Sequence, residues 1–209
     1  MKVINGQSLV ITNNKNKPFY YFIKQTIDSF VSLCSLCILF PLLVIVAILI
    51  KLDSPGPIFY KQERLGLSGR SFLIVKFRTM RADAEKNGPQ WANQNDVRIT
   101  RVGYYLRKYR IDEIPQFINI LRGEMSIIGP RPERAVFIEK FEKNVPDFRK
   151  RLQVKPGITG WAQINGGYEI DPQEKLELDL YYIYNYSFSL DMKIIMKSIP
   201  VILFAKGWR

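Results

Sequence analysis

Asp112 and Glu113 stand side by side in Ile111-Asp112-Glu113-Ile114-Pro115, directly after a basic stretch carrying Arg101, Arg107, Lys108 and Arg110. Neighbouring side chains on a helix diverge by about 100°, so the two carboxylates do not form a dyad sharing one proton across a cleft. They can divide the labour. One attacks while the other holds a divalent metal, and a helix N-terminus flanked by Arg107 and Arg110 keeps the attacking group ionised and draws phosphate. A carboxylate attacking phosphorus needs no general base. That suits a chain without histidine, in which Ser–His and Cys–His mechanisms are excluded and chemistry must run on carboxylates, Lys, Arg, Tyr or an oxygen-ligated metal such as Mg²⁺. If the second acceptor is a phosphate monoester it too is ionised at pH 7, and positioning, metal and arginines carry the whole reaction. Spacing alone leaves a plainer reading open, because an Asp before an apolar helical pattern commonly serves as its N-cap.

The elements around this pair are legible from pattern and punctuation. Val102 to Arg110 reads as a short basic helix with Val102, Tyr105 and Leu106 on its apolar side, and Asp112 opens a second helical pattern that Gly123 caps. Ile58 to Arg64 and Phe72 to Phe77, split by Gly66-Leu67-Ser68-Gly69, read as a small hairpin. Between Ala82 and Asp96, with Gly88-Pro89 inside, the sequence predicts a helical turn and then a mobile loop. Gly129-Pro130-Arg131-Pro132-Glu133 restricts the backbone around Arg131 to extended or turn geometry, which makes its guanidinium a fixed anion clamp. Ala135 to Lys143 reads as an amphipathic helix, Pro156 to Gly160 as a rigid turn leading into Trp161 to Asn165, and Gln173 to Asn185 as a further helix. Asp191 to Lys206, ending at Trp208-Arg209, suits a helix lying in a lipid interface or one packed on the protein's own core.

Ahead of all this, the 22 residues Ser29 to Ile50 carry no charge, with Pro41 near their middle. A helix of that length rises about 33 Å, the thickness of a bilayer's hydrocarbon core. Pro41 leaves the Cys37 carbonyl without its helical donor and crowds the preceding turn, so a bend is expected there. Both flanks are basic, with Lys2, Lys15, Lys17 and Lys24 upstream and Lys51, Lys61, Arg64 and Arg70 downstream. A plain span would put one basic set on the wrong side of the membrane, whereas a re-entrant hairpin bent at Pro41 keeps both on the cytoplasmic side. A kinked single-pass anchor is the alternative. A signal peptide fits poorly, because the apolar region is too long and no small-residue cleavage site follows it. Cys34 and Cys37 form a C-x-x-C inside the apolar run with no second pair to complete a metal site, and read as small membrane-buried residues. The 209-residue length leaves room for one modest globular domain besides the anchor. Its formal charge of +12 suits anionic lipid, a phosphorylated substrate or nucleic acid.

Taken together these segments resemble the bacterial sugar transferase family, the monotopic phosphoglycosyl transferases. The resemblance runs from about Lys24 to Ile202. It rests on Lys24 with Asp28 ahead of the apolar run, the Pro41 break, LDSPGPIFYKQERLG at 52–66, KFRTM at 76–80, IDEIPQ at 111–116, RGEMSIIGPRPE at 122–133, KPGITGWAQING at 155–166 and LDLYYIYNYS at 178–187. It implies an α+β, mainly helical fold: a polar N-terminal segment over 1–23, a re-entrant membrane helix-break-helix over 24–52, and a cytoplasmic catalytic domain over 53–209 with a short hairpin and amphipathic interfacial helices. It implies Asp112 as nucleophile and Glu113 as Mg²⁺ ligand. Arg107, Arg131, Lys76 and Arg78 become the expected phosphate contacts, with Thr79 shaping the site and Glu124 matching an acidic position of the motif.

The implied reaction is ping-pong. Asp112 attacks the β-phosphate of a UDP-sugar, UMP leaves, and polyprenyl (undecaprenyl) phosphate takes up the phosphosugar at the cytoplasmic face of the inner membrane. The partners expected are the bilayer, those two substrates and downstream glycosyltransferases, not nucleic acid, and GPRPE leans toward UDP-glucose or UDP-galactose. Many relatives have Ser-Pro at the membrane break where this chain has Phe40-Pro41, and larger ones carry further membrane helices and an extra domain, so the chain reads as a minimal catalytic form. Two rivals remain. A membrane-anchored basic module would bind nucleic acid or acidic lipid without catalysis, and a transferase moving only the sugar would release UDP.

Overall fold

The computed structural model describes residues 3–4, 7–8, 18–86, 88, 90, 96–166 and 170–203. Lys2, Lys15, Lys17, Pro89, most of the loop expected before Asp96, and Lys206, Trp208 and Arg209 lie outside the described residues. Within them the protein is mainly helical with three two-stranded sheets, and one long apolar helix leads into it. A short antiparallel pair, β1 (Val3–Ile4) and β2 (Gln7–Ser8), comes first. Then α1 runs unbroken from Pro18 to Asp53, 36 residues with Pro41 inside. At the level of secondary structure the expected helix-break-helix is therefore one helix. Proline removes a single N–H from a ladder of more than thirty, and the apolar turns on either side continue. The helix also begins six residues before the boundary expected at 24.

Both ends of α1 are built into the same folded unit. Near its start Tyr20 Oη and Lys24 Nζ donate to Asp191 Oδ2 at 2.5 and 3.0 Å, and Asp28 Oδ2 accepts from Ser126 Oγ at 2.6 Å. Lys24 and Asp28, expected as a flanking pair, thus serve two different partners. At the other end Val46 and Ile50 are buried against Phe77 and Leu106, and Asp53 Oδ2 accepts from the Val102 amide at 3.0 Å. Each fully buried Val, Ile or Phe contributes about 1.5–3 kcal/mol. Between these ends the helix is largely bare, with Leu33, Ile38, Phe40, Leu42, Ile45 and Ile48 exposed. Cys37 is exposed there too, and both cysteines are free.

The hairpin expected from the two runs and the Gly66–Gly69 turn forms, β3 (Phe59–Leu65) pairing antiparallel with β4 (Ser71–Phe77) in register Phe59↔Phe77 to Leu65↔Ser71. At the end of β4, Thr79 receives α2 (Arg101–Lys108). Thr100 caps this helix, accepting from the Gly103 amide at 3.0 Å, and its own amide donates to the Thr79 carbonyl. The approach requires a glycine, because a Cβ at Gly103 would lie 2.1 Å from the Thr79 oxygen. A 3₁₀ turn over Ile111–Gln116 and the short α3 (Phe117–Leu121) follow, closed by Gly123 at φ +76° as expected of a cap.

The parallel pairing of β5 (Ser126–Ile128) with β6 (Gly157–Thr159) brings the GPRP loop beside the PGITG turn. A Cβ on Gly157 would meet the Gly129 amide nitrogen at 2.1 Å, so the two backbones touch where only glycine fits. Between these strands runs α4 (Ala135–Glu142), and after them come α5 (Trp161–Asn165), α6 (Pro172–Asn185) and α7 (Phe188–Leu203). Helix α7 packs one face on the protein's own core and leaves the other exposed. Leu190 and Ile194 sit in the largest apolar cluster with Tyr182 and Trp161, while Phe188, Met192, Met196 and Ile199 on the opposite face are exposed. Lys193 and Lys197 lie over the Trp161 ring at 5.4 and 5.6 Å, along the edge between the two faces.

Candidate active site around Asp112 and Glu113

A left-handed residue sets up the site. Arg110 has φ +57° and ψ +17°, a conformation costly for a side-chain-bearing residue, and it turns the chain from α2 into the 3₁₀ turn. Asp112 and Glu113 consequently occupy the first turn, and both are buried. They line a cleft of about 390 Å³ together with Lys76, Arg107, Arg110 and Arg131. The 3₁₀ turn thus supplies the two carboxylates, and β4, α2 and the GPRP loop bring Lys76, Arg107 and Arg131 to them.

Glu113 is the hub. Lys76 Nζ donates to Glu113 Oε1 at 2.9 Å, while Arg131 spreads across the carboxylate, with Nη2 on Oε1 and Nη1 on Oε2 at 3.3 Å. Burial alone would push the Glu113 carboxyl up. Arg131, Lys76 and Arg110 outweigh it and hold the group well below the usual carboxylate range. Asp112 goes the other way. Its burial outweighs the attraction of Lys76, Arg107 and Arg110, Glu113 adds repulsion, and its pKa rises. Arg107 and Arg110, expected to favour the ionised carboxylate, do pull in that direction, and desolvation opposes them. A less solvated, more basic carboxylate is the better nucleophile once ionised.

Arg107 is steered by Nε donating to Thr79 Oγ1 at 2.8 Å, so the threonine of KFRTM positions an arginine. Arg78, from the same motif, does something else. Nη1 donates to the Pro55 carbonyl at 2.7 Å and Nη2 to Ser54 O and Oγ at 2.7 and 3.0 Å. This side chain fastens the turn that follows α1, a cation placed beside the helix's C-terminal end. Arg78, expected as a phosphate contact, also lines the cleft that holds Asp112 and Glu113. Glu124, the acidic position of uncertain use, accepts from Asn119 Nδ2 at 2.7 Å, and Asn119 in turn bonds the Val75 amide and the Leu73 carbonyl, fastening α3 to β4 beside Lys76.

Residue types alone did not reveal what holds Arg131. Arg151, 2% exposed, donates to the Arg131 carbonyl at 3.0 Å and to Asp179 Oδ2 through Nε and Nη2 at 2.9 and 2.7 Å. Arg64 donates to the Pro132 carbonyl, and Glu133 is ringed by Lys175, Arg64 and Arg151. The sequence hinted at this only in that Glu133 lies in GPRPE, Asp179 in LDLYYIYNYS and Arg64 in LDSPGPIFYKQERLG, while Arg151 and Lys175 lie outside those stretches. Partners 28 to 42 residues apart carry no local period.

Burial raises the Glu133 carboxyl, but Lys175, Arg151 and Arg64 outweigh it, lowering the pKa from 4.5 to about 2. A depressed carboxylate stabilises the fold above its unfolded pKa and loses that contribution as pH falls through the folded one. The stability gap between the wild type and Glu133→Gln should be constant above about pH 5 and close as pH drops from 4.5 toward 2. Urea unfolding of both proteins across that range measures it, and a gap independent of pH would show that Glu133 is not held as an anion.

The described chain matches the family model of bacterial sugar transferases over residues 19–205. A UDP-N-acetylgalactosamine-undecaprenyl-phosphate N-acetylgalactosaminephosphotransferase of Aeromonas hydrophila is 46% identical over 195 residues, 92% of this chain and 46% of that protein. A UDP-glucose:undecaprenyl-phosphate glucose-1-phosphate transferase of Xanthomonas campestris pv. campestris is 43% identical over 184 residues, 84% of this chain and 38% of its own. The exopolysaccharide production protein PSS of Rhizobium leguminosarum bv. phaseoli is 41% identical over 187 residues, 85% of this chain and 93% of that protein. The chain spans less than half the length of the first two relatives.

Proposed function

The chain belongs to the bacterial sugar transferase family, and from that premise we propose that it transfers a sugar-1-phosphate from a UDP-sugar to polyprenyl phosphate, releasing UMP, as an early membrane step of exopolysaccharide or glycoconjugate assembly. The observation that carries this reading is the buried Asp112–Glu113 pair facing four cations, Lys76, Arg107, Arg110 and Arg131, in one cleft. An Asp112 carboxylate oxygen attacks the β-phosphorus. The bond from that phosphorus to the oxygen bridging the two phosphates breaks, and the oxygen departs on UMP. The phosphosugar is left as an acyl phosphate on Asp112. An ionised oxygen of polyprenyl phosphate then attacks the same phosphorus and frees the carboxylate. No proton moves in either step, which a site without histidine can support. Arg107 and Arg131 bind the diphosphate and spread its developing charge, and Lys76 adds a point charge.

Glu113, with Asp112 beside it, fits Mg²⁺ in the usual way of one or two carboxylates completed by substrate phosphates; among the described residues no group of three acids, histidines or cysteines encloses an ion by itself. Bound there, the ion would neutralise charge on the diphosphate oxygens.

The membrane arrangement we propose is re-entrant and cytoplasmic, and the support is geometric. Tyr20 and Lys24 at one end of α1, and Ile50 and Asp53 at the other, bind one folded unit. A helix crossing the bilayer would put these ends on opposite sides of about 30 Å of hydrocarbon. In this reading both contacts are kept and the two ends share one face, with the exposed turns around Phe40-Pro41 dipping into lipid and the exposed face of α7 resting on it. Asp112 then stands where a soluble UDP-sugar and a lipid-borne phosphate both reach.

The test is incubation with undecaprenyl phosphate, Mg²⁺ and a panel of UDP-sugars that includes glucose, galactose and N-acetylgalactosamine, followed by identification of the nucleotide released. UMP is expected. UDP would indicate transfer of the sugar alone, and no nucleotide product from any sugar would leave the basic binding module.

A further inference from the structure

Glu113, the expected metal ligand, has both carboxylate oxygens engaged by fixed cations: Lys76 Nζ on Oε1 at 2.9 Å and the Arg131 fork across Oε1 and Oε2. The carboxylate is 6% exposed, so these are contacts made in a poorly screened environment. Around it four cations face two carboxylates. A bare divalent ion entering the cleft meets an excess of like charge. A nucleoside diphosphate meets the opposite, and its oxygens are better acceptors for Lys and Arg than a carboxylate already shared between them. The two cations also differ in freedom. Arg131 stands between prolines, with its carbonyl held by Arg151 and the next one held by Arg64. Lys76 reaches Glu113 on a flexible four-carbon stem.

We propose that Lys76 occupies Glu113 as a counter-ion until a diphosphate draws its ammonium away, so that the divalent metal and the nucleotide bind as a coupled pair and the protein alone does not retain the metal. The inference rests on the diphosphate-substrate reading above and adds to it an order of events and the residue that enforces it. Coupling of this kind is reciprocal: whatever factor the nucleotide adds to metal affinity, the metal adds to nucleotide affinity.

The experiment titrates Mn²⁺ into the full chain in detergent and follows water-proton relaxation, which reports protein-bound Mn²⁺, with and without UDP; calorimetry measures UDP with and without Mn²⁺. UDP should tighten Mn²⁺ by about tenfold or more, and calorimetry should return the same factor for Mn²⁺ on UDP. Lys76→Met should raise Mn²⁺ affinity in the absence of UDP by about tenfold, weaken UDP, and shrink the coupling. Glu113→Gln should remove the Mn²⁺ held with UDP. Equal Mn²⁺ affinity of the wild type with and without UDP would overturn the inference while leaving the function intact, and this arm needs no variant to fold. Failure of UDP to bind under any condition would overturn the function and the inference with it. Lys76→Met that melts like the wild type yet leaves Mn²⁺ affinity unchanged would show the Lys76–Glu113 pair to be a permanent structural contact.

Discussion

Asp112→Asn should lower UMP release by about 10³-fold or more without lowering the melting temperature. The two halves of that expectation separate nucleophile from cap. Asn caps a helix as well as Asp does, so if the residue's role is to satisfy the first turn, the variant is silent. The amide is also nearly isosteric, and it relieves the burial that raises the Asp112 carboxyl, so packing and stability are preserved. What Asn lacks is an anionic oxygen able to bond phosphorus. Losing an attacking group typically costs several orders of magnitude in turnover, with the rest of the site supplying a small residual rate. The intermediate gives a second readout: wild type incubated with a labelled UDP-sugar and no lipid acceptor should retain label on protein as a hydroxylamine-sensitive acyl phosphate, and the variant should retain none. Turnover within tenfold of wild type would remove Asp112 from the chemistry.

How much of this could be read from residues depends on the range of the interaction that fixes each feature. The β3–β4 hairpin was legible because runs of aromatic and β-branched residues and a Gly-rich turn are local signals, and α2 and the Gly123 cap were legible for the same reason. The members of the charged site were legible by type, since Asp112, Glu113, Arg107 and Arg131 lie in one cleft. Their partners were not. Nothing about an arginine in KFRTM says whether its guanidinium faces an anion or a turn's carbonyls, and Arg78 reaches carbonyls because Ser54 and Pro55 happen to follow α1 beside it. Lys24 and Asp28 were legible as residues flanking the apolar run, but not the hydrogen bonds they make 167 and 98 residues along the chain. The attraction of Arg107 and Arg110 for Asp112 was legible by counting nearby arginines, but the opposing desolvation was not, because it depends on how much chain closes over the group.

Arg151 carries a larger weight than its position outside the cleft suggests. It joins the 3₁₀ turn over Phe148–Gln153 to α6 through Asp179 and to the GPRP loop through the Arg131 carbonyl, with its guanidinium over the Phe148 ring at 5.1 Å. Arg151→Ala leaves Asp179, 1% exposed, as an uncompensated buried charge, a loss worth about 3–5 kcal/mol. At about 2–4 °C per kcal/mol for a chain of this size, the melting temperature should fall by roughly 6–20 °C. A fall of less than about 2 °C would mean the pair is not closed in solution. Arg151→Met combined with Asp179→Leu removes both charges and should recover much of that stability, because apolar replacement of a whole buried pair is often neutral or better. It should not recover full turnover: the Arg131 carbonyl loses its donor, and an arginine displaced by even a fraction of an ångström binds the diphosphate less well in the transition state than in the ground state. If the double variant were both stable and fully active, Arg151 would be a brace for the fold alone. A stable double variant with kcat lowered and KM little changed is the outcome expected of a residue that positions Arg131.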